Sequence, residues 1–155
     1  MPGQKLREFL DSQQVKYGTI NHATAFTAQE IAALSHVRGR ELAKTVMVTI
    51  DGRMAMAVLP ASQKVDLNLL KRAAGAEAVE LASETEFKSL FPDCEAGAMP
   101  PFGNLYGMAV FVEMSLTEDE EIALTAGTHS ELIKLSYKDF ERVVQPTVAG
   151  FSLKP

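Results

Sequence analysis

At 155 residues, with 46% apolar and 23% charged side chains, the chain has a globular composition and is long enough to bury roughly two thirds of its unfolded surface. Its net charge of −5 argues against a surface that follows a long phosphate backbone, as DNA binding requires. One cysteine, Cys94, excludes an internal disulfide framework and fits a reducing compartment.

Met1-Pro2-Gly3-Gln4-Lys5 leads into an amphipathic pattern with no apolar leader. The most apolar window, 46–61, is broken by Asp51-Gly52-Arg53, so a cytoplasmic domain without a membrane span is expected. Leu6, Phe9 and Leu10 recur at helical spacing and predict a first helix over 4–14, followed by a short strand over 15–20. His22-Ala23-Thr24-Ala25-Phe26 reads as a loop. Thr27-Ala28-Gln29-Glu30 is a capping box, with Ile31 and Leu34 inward and Gly39 closing the region. Asp51-Gly52 between two apolar runs predicts a type I′ hairpin, because both central positions take φ > 0. A two-residue loop pairs Ile50 with Arg53, Val48 with Ala55, Val46 with Ala57 and Lys44 with Leu59. Lys44 then shares a face with Val46, Val48, Ala55, Ala57 and Leu59, while Thr45, Met47, Thr49, Met54, Met56 and Val58 hold the other. Both faces are largely apolar, so the hairpin belongs inside a covered sheet or partial barrel.

Asp66 caps a helix through Ala74, with Leu67, Leu70 and Ala74 inward and Gly75 as its stop. A strand over 78–81 leads to a second capping box, Ser83-Glu84-Thr85-Glu86, and to a helix burying Phe87, Leu90 and Phe91. Residues 92–105 turn to Gly, Pro and Ala and predict a long shaped loop. A strand over 108–116 carries Val110 and Val112 on one side. A hairpin of 121–126 and 131–136 is tipped by Gly127-Thr128-His129-Ser130, and Ser136-Tyr137-Lys138-Asp139 opens a last helix carrying Phe140 and Val143. Helices and hairpins follow one another without a βαβ rhythm. The fold class is therefore α+β: a mixed, mostly antiparallel sheet or partial barrel with flanking helices, as one domain over 1–155.

The sequence holds no HExxH, CxxC, DxDxDG, GxGxxG or GxxxxGK[ST] pattern, and His22, His36 and His129 stand apart, so neither metal nor cofactor is expected. Cys94 has no base near it in sequence and reads as an inert thiol. Lys44 leaves three roles open: a charge snorkelling from the sheet, an anion clamp, or an amine activated by desolvation. The basic turn with Arg38 and Arg40 shifts weight towards binding a phosphate or carbonyl oxygen. Residues 97–103 set two prolines between two glycines, either a rigid wall that lets backbone approach a ligand or an ordinary rigid connection. The 127–130 tip either supplies amides and an imidazole or is a plain hairpin loop.

Four segments in this order resemble the YbaK family of aminoacyl-tRNA deacylases, whose domain also forms the editing insertion of bacterial prolyl-tRNA synthetases. They are His22 with Thr27-Ala28-Gln29-Glu30, Lys44-Thr45-Val46, Gly97-x-x-Pro100-Pro101-Phe102-Gly103, and Ala126-Gly127-Thr128-His129-x-Glu131-Leu132. The resemblance covers nearly the whole chain. It implies a YbaK-like fold and a free-standing trans-editing hydrolase that cleaves the ester of a mischarged tRNA by positioning and oxyanion stabilisation. It needs no metal, cofactor or covalent intermediate. It implies catalytic roles for Lys44, Gly97, Gly127 and His129. Lys44 would hold the acceptor-end phosphate or ribose, backbone near Gly97 and Gly127 would polarise the carbonyl, and His129 would line the pocket. His22, Phe26, Thr45, Pro100, Pro101, Phe102 and Thr128 would contact substrate, and Arg38 and Arg40 the tRNA. The implied partner is the acceptor end of aminoacyl-tRNA, with a synthetase as a further candidate and neither membrane nor DNA. Water or a substrate thiol remains open as the attacking group. Two other readings stand beside it: a binding module of the same fold without hydrolysis, and a hydrolase of another aminoacyl or small acyl ester.

Overall fold

The computed structural model describes residues 4–95 and 98–153. In chain order the elements are α1 (Gln4–Ser12), β1 (Tyr17–Asn21), α2 (Ala28–Ser35), β2 (Leu42–Ile50), β3 (Arg53–Pro60), β4 (Lys64–Val65), α3 (Leu67–Ala74) and β5 (Val79–Leu81). There follow α4 (Glu84–Phe87), β6 (Ala109–Glu113), β7 (Glu121–Thr125), β8 (Glu131–Ser136), α5 (Tyr137–Val144), β9 (Thr147–Ala149) and β10 (Ser152–Leu153). One sheet runs β1-β8-β7-β2-β3-β6-β9 with β5 also on β2, and β4 pairs with β10. Pairing is antiparallel in β1–β8, β7–β8, β2–β3, β2–β5 and β4–β10, and parallel in β2–β7, β3–β6 and β6–β9. The predicted mixed, mainly antiparallel α+β architecture is thus observed. The parallel pairs join strands far apart in sequence, so no βαβ rhythm announced them.

The β2–β3 hairpin has the predicted register, from Ile50↔Arg53 to Lys44↔Leu59. Asp51 and Gly52 take φ of +50° and +81°, as a type I′ turn demands. The Asp51 carboxylate also accepts the amides of Glu77 and Ala78 at 3.0 and 2.9 Å, fastening the turn to the segment after α3. The two hairpin faces enter different cores. Val48, Ala55, Ala57 and Leu59 pack with Leu70 and Phe151, while Met47, Met56 and Val58 pack with Leu6, Leu10, Phe102 and Phe140. Helix α3 covers the first face, and α1 and α5 cover the second.

Local capping follows the sequence closely. Thr27 accepts the Glu30 amide at 3.1 Å, although the Glu30 carboxylate returns to the Thr27 hydroxyl rather than to its amide. Asp66 caps α3 through the amides of Asn68 and Leu69, and Gly75 ends it in the left-handed conformation. The Ser83–Glu86 capping box is present. Some inward assignments fail. Leu34 and Leu90 are 46% and 41% exposed, because α2 is a short surface helix and α4 gives way after one turn to a 3₁₀ turn over Lys88–Leu90. Phe87 and Phe91 remain buried. In α3 Leu70 is fully buried and Leu67 packs half-buried against the same core, while Ala74 is half-buried. In α5 Val144 is buried beside Phe140, and Val143 packs half-buried against that core. The strand expected over 108–116 ends at Glu113 and becomes a 3₁₀ turn over Met114–Glu118.

Strands β9 and β10 had no forecast. Their anchor is Glu113, only 4% exposed, whose carboxylate accepts the Phe151 amide at 2.6 Å. No helix among the described residues is long and apolar enough to cross a membrane.

Candidate functional site

The site begins with a defect in the sheet. The parallel β2–β7 ladder stops at Ala43↔Leu124, and β5 occupies the same edge of β2 only from Val48. Between them no described strand covers the edge of β2. The Glu41 carbonyl accepts from Ala123 and the Met47 carbonyl from Ala82, each at 2.9 Å, so odd-numbered residues of β2 aim their backbone groups at this edge. Two-residue alternation therefore turns the Thr45 N–H and C=O into the gap. A cavity of about 200 Å³ fills it, lined by Phe26, Ala28, Ile31, Leu42, Ala43, Lys44, Thr45 and Thr125. Lys44 and Thr45 lie on opposite faces of β2, and both reach the cavity because it wraps the open edge.

Lys44 is half-buried. Loss of water, and then the neighbouring Lys64 charge, hold its pKa below the ordinary lysine value. Among the described residues no acid forms an ion pair with it. A cation in this setting favours an anionic or strongly polar ligand. The Thr45 hydroxyl is buried without a hydrogen-bond partner, a polar group that a ligand in the cavity would satisfy. Phe26 is 71% exposed and sits 4.8 Å, centroid to centroid, from the His129 ring. It forms an aromatic lip over the apolar floor of Ile31 and Leu42.

Backbone bonds join the two loops singled out in the sequence. Gly127, at φ +102°, donates to Ala98 at 2.9 Å and accepts from Glu95 at 2.7 Å. The Thr125 hydroxyl donates to the Met99 carbonyl at 3.1 Å, and the Glu95 carboxylate accepts the His129 amide at 2.7 Å. The 22–26 loop is strapped to the same turn through His22 N–H to Ser130 and Ala25 N–H to His129. His22 Nδ1 lies 2.7 Å from the Ala23 carbonyl. A carbonyl only accepts, so Nδ1 carries a hydrogen, and Nε2 is buried without a hydrogen-bond partner.

The fold thus gathers Lys44, Thr45 and Phe26 on one cavity, with His129 behind Phe26. Other assignments land elsewhere. Gly97 lies outside the described residues. The Gly127 amide is committed to Ala98 and is not available to polarise a carbonyl. Thr128 spends its hydroxyl on the Ser130 amide and hydroxyl. Phe102 is fully buried, 6.2 Å from Phe9 and 5.4 Å from Phe140 in edge contacts, so it is core. Pro100 and Pro101 are buried beside it and do not line the cavity. Arg38 faces Glu41 at 4.0 Å in a separate cleft of about 350 Å³ shared with Glu121 and Lys134. Burial first, and then the Glu41 charge, raise the Asp119 carboxyl, and the Arg40 charge offsets them only in part. Neither arginine lines the cavity. Lys64, exposed at the start of β4, is the cation that acts on Lys44. Burial pushes the Cys94 thiol up to about 11, in keeping with an inert thiol. No cluster of three or more metal-ligating side chains occurs among the described residues.

A family model described as the aminoacyl-tRNA editing domain matches residues 22–143. The chain belongs to the aminoacyl-tRNA editing domain family. It is 28% identical over 75 residues to the proline--tRNA ligase of Bacillus mycoides (strain KBAB4), an alignment covering 48% of this chain and 13% of the ligase. Among solved structures, the hypothetical protein APE2540 superposes with a TM-score of 0.86 at 23% identity, over 97% of this chain and 100% of that one. A candidate trans-editing enzyme for prolyl tRNA synthetase superposes with a TM-score of 0.82 at 18% identity, over 97% and 96%. At these identities the two structures speak for the fold, and they bear out the YbaK-like architecture read from the motifs.

Proposed function

We propose that this editing domain is a trans-acting aminoacyl-tRNA deacylase. The observation that carries the reading is the unpaired, half-buried Lys44 beside the unsatisfied Thr45 hydroxyl, at the one gap between β2 and β7 described above. Lys44 holds the anionic acceptor end as a point charge, reinforced by Lys64. The aminoacyl group enters the cavity under Phe26. The Thr45 amide and hydroxyl then point at the ester carbonyl and stabilise the charge that develops on its oxygen. Water adds to the carbonyl carbon, the bond to the ribose oxygen breaks, and the water proton passes to that leaving oxygen. An aminoacyl ester is already activated, so positioning supplies most of what hydrolysis needs. Thr45 here takes the role first assigned to backbone near Gly97 and Gly127.

The direct test is turnover by the purified chain of a panel of mischarged tRNAs. Release of free amino acid from at least one member supports the deacylase. Saturable binding with no release on any member makes the chain a binding module. Equal turnover of small aminoacyl esters lacking tRNA points to a general esterase. Thr45→Val separates site from scaffold, since it keeps the shape and removes only the hydroxyl. Relief of an unsatisfied buried group is expected to raise stability by about 1 kcal/mol in urea unfolding. The same change is expected to lower kcat about tenfold or more through loss of an oxyanion donor. A stable Thr45→Val variant with wild-type kcat removes the hydroxyl from the mechanism.

A further inference from the structure

We infer that Glu95 is a positioning residue for the cavity, resting on the site proposed above. Glu95 grips the Gly127–His129 turn from both sides: its amide donates to the Gly127 carbonyl at 2.7 Å, and its carboxylate accepts the His129 amide at 2.7 Å. Two short bonds from one residue fix two points of the turn, two residues apart. The His129 ring in turn supports Phe26 at 4.8 Å, and the His129 carbonyl receives the Ala25 amide at 3.1 Å, next to Phe26 in the chain. Phe26 is 71% exposed and has little other packing to hold it over the cavity that also exposes Lys44 and Thr45. The side chain of Glu95 itself is exposed and outside the cavity lining, so it does not touch the ligand. Its carboxylate sets the angle of the aromatic lip through His129. A charge-assisted bond to a backbone amide is stronger than a neutral one and is the natural device for this.

The test compares Glu95→Ala and Glu95→Gln in the full chain. Ligand-free NMR reads the staple directly. In Glu95→Ala the His129 amide is expected to exchange with solvent about tenfold faster or more, as loss of a charged acceptor implies, and the Phe26 ring signals shift. Glu95→Gln retains an acceptor oxygen and is expected to recover most of both. On whichever mischarged tRNA the wild type turns over best, Glu95→Ala is expected to raise KM about tenfold with a smaller change in kcat, as loss of a binding wall implies. Unchanged His129 exchange and Phe26 signals in Glu95→Ala overturn the inference, as does a disturbed turn with wild-type KM. If the wild type turns over no tRNA, the deacylase reading falls by itself. The exchange and ring-signal comparison then decides alone whether Glu95 holds the turn.

Discussion

Replacing Lys44 with alanine is expected to lower deacylation at least about 100-fold, the usual cost of removing a charge or donor from a preorganised site, without lowering stability. The two halves of this expectation share one cause. The ammonium is kept half-buried without an acid partner, its pKa lowered by desolvation first and by Lys64 second. A folded state that holds such a charge is less stable than one that does not, and functional sites commonly carry this burden. Lys44→Met, which keeps the apolar stem, is therefore expected to melt at or above the wild-type temperature. The pH dependence has a definite sign. At neutral pH the amine is protonated in both folded and unfolded chains, and the full penalty is present. As pH rises through the lowered folded value towards the ordinary 10.5, the folded protein releases its proton before the unfolded one, and wild type gains on the variant. Urea midpoints of wild type and Lys44→Met at pH 7 and pH 10 check this. A gap that widens with pH contradicts the desolvated-cation account.

The features legible in the sequence were those set by short-range rules. The β2–β3 register followed from Asp51-Gly52 alone, because a two-residue I′ loop leaves one pairing and side chains alternate strictly along strands. Caps at Thr27, Asp66 and Ser83 were equally local. The gap that makes the site was not local: it exists because β7, some 80 residues further on, leaves the edge of β2 after Leu124, and β5 rejoins it only at Val48. Nothing in Lys44-Thr45-Val46 reveals that Thr45 will face an uncovered edge. Glu95 was passed over for a similar reason, since its partners Gly127 and His129 lie beyond two intervening strands and a loop. Phe102 misled in the opposite direction. Its place in a Gly- and Pro-rich loop suggested a ligand wall, yet an aromatic ring between Phe9 and Phe140 gains more from burial in the core than from an open cleft.

Gly103→Ala is expected to destabilise the protein by about 2–3 kcal/mol, the overpacking range for a site with little room to relax. A Cβ on Gly103 would lie 2.6 Å from the Met108 carbonyl oxygen and 2.6 Å from Val110 Cγ2. The Gly103 carbonyl already accepts the Tyr106 and Met108 amides, both at 2.9 Å, so the turn cannot open to make room without losing hydrogen bonds. Val110 cannot retreat either, because β6 is paired along β3 from Ala55↔Ala109 to Val58↔Val112. The glycine is thus required by the approach of two protein segments, not by the approach of a ligand. These two explanations predict different phenotypes. A ligand-approach glycine would give an alanine variant that folds normally and binds poorly. Packing predicts the reverse: an early transition in urea, with the remaining folded fraction close to wild type in kcat per active site. Denaturant unfolding together with an active-site titration distinguishes them, and a fully stable Gly103→Ala protein with impaired binding would return residues 100–103 to the ligand wall.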